Sequence, residues 1–127
     1  MSNIRAGTIS AENGTDPVIL TKQMASKVWC NFNGQNTVSI RDSFNVSSVT
    51  DVGTGTYEVN YTSNMADVNY CVTQGSADTG YGAKIDLDVH AYQTTAKSRQ
   101  RSFQVFGSTY ASFDSSMMNS TVTGDLA

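Results

Sequence analysis

At 127 residues the chain holds a single domain, and its 39% apolar share is scattered in short runs rather than gathered into long ones. A net charge of −3 argues against general nucleic-acid binding, which calls for a basic domain. No apolar run approaches the roughly 20 residues that cross a membrane.

Residues 1–27 differ in character from the rest of the chain. Met1 to Gly14 lacks the continuous apolar segment of a secretory signal, so synthesis in a cytoplasm is expected. Turn signals at Asn13-Gly14 and Asp16-Pro17 flank scattered apolar residues too sparse to bury a core. A leader of this kind is either disordered or ordered by docking on a partner, and docking is the favoured reading because Val18, Ile19 and Leu20 form an unusually apolar triplet for a free tail.

The remainder, 28–127, reads as an antiparallel β domain. Trp29, Cys30 and Phe32 with Asn31 and Asn33 make a first short strand, and Asn33-Gly34 is the expected two-residue reversal. Val38 and Ile40 then face one way, Ser39 and Arg41 the other. Asp51 to Gly55 makes the next turn, and Tyr57, Val59 and Tyr61 alternate with Glu58, Asn60 and Thr62. These strands are expected to be consecutive and joined by tight hairpins, their aromatics filling the core rather than forming a stacking platform for sugars. Further strands are predicted at Val68–Thr73, Ala83–Tyr92, Ser102–Phe106 and Met117–Thr123. Gly75–Gly82, Thr94–Gln100 and Thr109–Ser116 are read as loops or turns. The sum is a small all-β fold, a sandwich or jelly-roll-like domain of seven or eight short strands.

Two cysteines, Cys30 and Cys71, are too few for a disulfide scaffold. They read as a reduced, buried pair, although a bridge between paired strands would need their Cα atoms within roughly 7 Å.

Three constellations bear on chemistry. Asp86, Asp88 and His90 share one strand face about 7 Å apart, too far for one ion unless a second strand or subunit contributes. A solvated face is the plain reading. Lys97, Arg99 and Arg101 alternate, so an extended backbone puts all three on one side, where they could meet phosphate or an acidic neighbour; the plain reading is a solvated hairpin tip. His90 is the only histidine and no nucleophile elbow accompanies it, while Glu58 and the aspartates lack an evident cleft for glycoside cleavage. No catalytic residue and no cofactor is assigned.

Several stretches resemble a domain found in virion proteins of tailed phages, especially marine ones, in which a WVNFNG-type segment precedes a V-x-I-R-D-S-F-N-V-S-S run. Here these are Trp29 to Gly34 and Val38 to Ser48, followed by Thr50-Asp51, Gly53 to Gly55, Tyr57 to Thr62, Met65 to Tyr70 and the terminal Gly124 to Ala127. The likeness is close over 28–73 and loose from 74 to 116. Cys30 stands where the family usually has Val, and Met117–Thr123 is more polar than the family's final strand. The resemblance implies a non-enzymatic virion component of fibre or spike type, a homotrimer involved in host contact. Its partners would be other phage proteins, tail or capsid, and host surface polysaccharide. A capsid-decorating protein that bridges shell subunits is the alternative, and a polysaccharide-cleaving enzyme a third. In a trimer the face of Asp86, Asp88 and His90 could line the axis, where bound ions become plausible.

Overall fold

The computed structural model describes residues 25–77, 83–86, 92–106 and 109–127. Nine strands lie among them: β1 (Val28–Asn33), β2 (Ser39–Phe44), β3 (Val46–Gly53), β4 (Thr56–Tyr61), β5 (Cys71–Ala77), β6 (Ala83–Asp86), β7 (Lys97–Phe106), β8 (Thr109–Ser112) and β9 (Met117–Thr123). They form two antiparallel sheets, one ordered β2-β1-β9-β5 and the other β3-β4-β7-β6 with β8 also on β7. Arg101 of β7 pairs with both β4 and β6, and Phe103 with both β6 and β8. A residue has only two edges to offer, so β4 and β8 lie end to end along the same side of β7. The all-β sandwich is the expected class, with more strands than the seven or eight foreseen.

Burial follows the pleat. Val28, Cys30 and Phe32 of β1 face inward with Met118 and Val122 of β9, against Tyr57, Val59 and Tyr61 of β4. Phe32 and Tyr57 meet edge to face with ring centres 5.3 Å apart, which ties the two sheets together at the centre. Tyr57 is wholly buried, and its hydroxyl lies 2.9 Å from the Gly34 carbonyl and 2.8 Å from the Asp114 carboxylate. The same carboxylate accepts the Gly55 amide at 2.7 Å. Both glycines are required by close approach: a Cβ on Gly34 would stand 2.6 Å from the Tyr57 hydroxyl, and one on Gly55, at φ +68°, 2.3 Å from the Ser102 carbonyl.

The interior changes character across its width. Towards β5 and β7 the inward residues are mostly polar, Gln74, Ser76, Ser98, Gln100, Ser102 and Ser120, with Val72 of β5 packed against the apolar core. Ser102 bonds Ser115 at 2.9 Å, while both amide atoms of the fully buried Gln100 have no partner among the described residues. This half of the sandwich is polar, which is where buried water is most readily held.

Several expectations are corrected. The β1–β2 connection is not a two-residue Asn33-Gly34 turn: Asn33 pairs with Ser39, and Asn36 takes the positive φ of 57°. β2 and β3 are not successive strands of one sheet. Phe44 ends the first in one sheet, Val46 begins the second in the other, and Asn45 alone turns the corner at φ 56°. Its Nδ2 donates to the Lys27 and Ser63 carbonyls at 3.1 Å each, its Oδ1 accepts the Ser63 amide at 2.7 Å, and its carbonyl accepts the Thr62 amide. β5 starts later than Val68 and continues through Gly75, Ser76 and Ala77, residues read as loop. Lys97 to Gln100 opens the ten-residue β7 instead of a turn, and β8 replaces part of another loop. The polar Met117–Thr123 run is the strand between β1 and β5. Cys30 is buried, but Cys71 is exposed and neither is in a disulfide, so they are not a buried pair. Burial pushes the Cys30 thiol up to about 11.

Asn45 permits a clean test. Asn45→Gly keeps the left-handed backbone and loses the side-chain bonds, and should cost about 2 kcal/mol. Asn45→Ala also meets the backbone penalty and should cost about 1 kcal/mol more. Urea-unfolding midpoints read the difference; equal losses would show that the backbone conformation is unimportant.

Candidate functional site

The outward face of the five-stranded sheet is built by register. Ser48, Asn60 and Lys97 stand in one row across β3, β4 and β7; Thr50, Glu58 and Arg99 in the next; and Thr56 with Arg101 in a third, beside which Asp86 pairs with Arg101 along β6. Lys97, Arg99 and Arg101 therefore share a face, as their alternation requires. They occupy the middle of a sheet, however, and not a hairpin tip.

At the centre is Glu58, only 7% exposed although its face is the outer one. Lys97 Nζ donates to Glu58 Oε2 at 2.8 Å, and Arg99 donates to Oε1 through Nε at 3.1 Å and Nη2 at 2.6 Å. Tyr92 lies over the Arg99 guanidinium, with the ring centre 3.4 Å from Cζ. The bond from Lys97, ahead of that from Arg99, holds the Glu58 carboxyl below the usual glutamate range despite its burial. A carboxylate kept ionised in this way is poorly suited to be the proton donor of glycoside cleavage. Two cations around one anion leave one positive charge, and Arg101 stands close by, opposite Asp86 in register. Asn60 Nδ2 completes the face with bonds to Ser48 Oγ at 3.1 Å and Thr50 Oγ1 at 3.0 Å.

Of the acidic-histidine set only Asp86 is described; Asp88 and His90 lie outside the described residues, as do Val18, Ile19 and Leu20 of the leader. Among the described residues no group of three metal-ligating side chains converges and no helix is long and apolar enough to cross a membrane. The role of Glu58 as anchor is invisible in the sequence, because its partners lie 39 and 41 residues away. Period-two spacing from Tyr57 and Val59 does place it on the outer face. Tyr92, expected at the end of an Ala83–Tyr92 strand, lies outside the strands: β6 is Ala83–Asp86, and 87–91 lie outside the described residues. Trp29 and Phe44, by contrast, face outward: they are 37% and 54% exposed and are direct partners across β1 and β2. Among the described aromatics Phe32, Tyr57, Tyr61 and Tyr70 are buried, whereas this pair, Tyr92 and Tyr110 are exposed.

Comparison with known proteins returned no matching family, no matching curated protein and no matching solved structure.

Glu58 contributes stability that depends on pH. Its folded-state pKa is depressed, so the contribution is complete above the ordinary value of 4.5 and is lost as pH falls below it through the depressed one. Glu58→Gln should lower stability by about 2 kcal/mol at neutral pH, since it leaves two cations half-buried without their counter-ion. The gap between variant and parent should close on acidification below 4.5 in thermal melts, and a gap independent of pH would refute the ion-pair account.

Proposed function

We propose that the chain is a non-enzymatic structural protein of a tailed-phage virion, a trimeric appendage of fibre or spike type that takes part in host contact. The observation that carries this reading is where the resembling residues fall. Trp29 to Gly34 forms β1 and the start of its turn, and Val38 to Ser48 spans β2, the Asn45 corner and the start of β3. The likeness thus covers the part of the chain with the most demanding backbone geometry, which supports a shared architecture over a chance run of polar residues.

Self-association has a physical motive. β2 and β3 are edge strands of the two sheets at the same side of the sandwich, and unpaired edges are usually protected. Here protection is partly built in: Arg41, Ser47 and Val52 are extra residues at register shifts, and Arg41, Asp42 and Asp51 put charge on the two edges. Contact between copies would accordingly not rest on a continuous strand pairing. Residues 1–27, with Val18, Ile19 and Leu20, are the proposed anchor to the particle.

Sedimentation of the purified chain should give a trimer at micromolar concentration, and a compact monomer would remove the threefold assembly. Immunogold labelling of particles should mark the tail; label on the head would replace the fibre reading with the capsid-decorating one, and unlabelled particles would sink both. Arg101→Glu leaves the Glu58 pair intact and should reduce attachment of particles to cells severalfold through charge repulsion of an acidic surface. Unchanged attachment would dismiss the basic face from host contact.

A further inference from the structure

The outward face of the four-stranded sheet carries a second arrangement, independent of the charged one. The registers of β1, β2, β5 and β9 set two parallel rows on it. The first is Phe44, Trp29, Thr121 and Thr73; the second is Asp42, Asn31, Asn119 and Gly75. Members of a row are about 4.8 Å apart and the rows about 7 Å.

The second row is polarised by a directed chain of hydrogen bonds. Arg41 can only donate; it gives Nη2 to the Ser116 carbonyl at 2.6 Å and Nη1 to Asn31 Oδ1 at 3.4 Å. Asn31 is thereby oriented to donate its Nδ2 to Asn119 Oδ1. Asn119 must then turn its own Nδ2 onward, and the next position in the row is Gly75. A Cβ there would meet nothing closer than that Nδ2, at 4.0 Å, so the donor opens onto bare backbone. No acceptor for it occurs among the described residues.

We propose that this face is a carbohydrate-binding platform. The apolar C–H side of a pyranose ring packs on Trp29 and Phe44, whose exposed area would otherwise be a loss to the fold. The neighbouring residue of the glycan lies over the amide row, where Asn119 Nδ2 donates to a hydroxyl or acetamido oxygen and the Asp42 carboxylate accepts from a hydroxyl. Thr121 and Thr73, at the aromatic row, supply hydroxyls that both donate and accept. A second copy of the chain is the less suitable occupant, because the centre of a protein interface is apolar and poor in charge, whereas here two aromatics give way at once to amides, hydroxyls and a carboxylate. The inference deepens the host-contact reading and rests on it for the source of the glycan.

Trp29 is the only tryptophan, so its emission reports directly on this face. The purified full chain is titrated with chitohexaose, maltoheptaose and a bacterial O-polysaccharide. A saturable blue shift with at least one of them is expected, together with calorimetric binding that weakens about tenfold in Gly75→Val, the loss of roughly one hydrogen bond. Gly75 does not have positive φ and lies in a strand, so valine there is compatible with the backbone. Trp29→Ala should abolish the calorimetric signal, with unfolding midpoints confirming that both variants fold. Unchanged emission with all three sugars overturns the proposal. So does binding that Gly75→Val leaves intact, or a shift that grows with protein concentration when no sugar is present, which would assign the face to a second copy. None of these outcomes alters the position of the protein on labelled particles, which is read separately.

Discussion

The architecture depends on one residue's ability to turn the chain from one sheet into the other without an intervening loop. Asn45 does so in the left-handed region, which its short amide side chain tolerates and partly offsets by bonding nearby backbone. Because the corner is one residue long, β2 and β3 emerge as facing edges, and the hairpin partners of each, β1 and β4, are carried opposite one another. That is what brings Phe32 to Tyr57 and closes the apolar half of the core. Asn45 also ties together Lys27 and Ser63, backbone that lies next to the beginning of β1 and the end of β4, so the corner and the closing of the core are one structural event.

The two halves of the interior are held by different physics. Under β1 and β4 the stabilisation is apolar burial and edge-to-face aromatic contact. Under β5 and β7 it is backbone pairing plus a few hydroxyl contacts, since glutamine and serine supply little apolar area. The outer surface of β4 and β7 makes up part of the difference. Lys97 and Arg99 close on Glu58, and Tyr92 lies over Arg99, so the outer face of β7 is held by ion pairs where its inner face carries Ser98 and Gln100. The charged residues most suggestive of a binding surface are in this way partly structural, with Arg101 the one least committed to Glu58.

The two outer faces consequently differ in kind. On the five-stranded sheet the charges are largely paired with one another. On the four-stranded sheet the aromatic pair and the amide chain end in groups that point away from the protein. A face whose hydrogen bonds terminate in an unused donor is better arranged for a polar ligand than one whose charges are already closed on themselves.

The strands legible in the sequence are those whose inner face is apolar. Tyr57, Val59 and Tyr61, and likewise Cys30 and Phe32, reveal a period of two that needs no knowledge of neighbours. The start of β7 reads as a turn because its inner face is Ser98, Gln100 and Ser102 and its outer face Lys97, Arg99 and Arg101, so hydropathy never alternates along it. The same holds for Gly75 to Ala77 of β5. The charged triplet is visible as a triplet, but not the carboxylate that organises it, and Trp29 is expected inside because a lone tryptophan usually is. From its own order of residues this protein determined a small, two-faced β domain, its main aromatic strand and the Asp51–Gly55 turn between β3 and β4, since these follow from side-chain alternation and local backbone preference. The tertiary structure alone decided which sheet each strand joins, that Glu58 gathers Lys97 and Arg99, and that Trp29 and Phe44 are left facing water, because these depend on pairings between residues far apart in the chain.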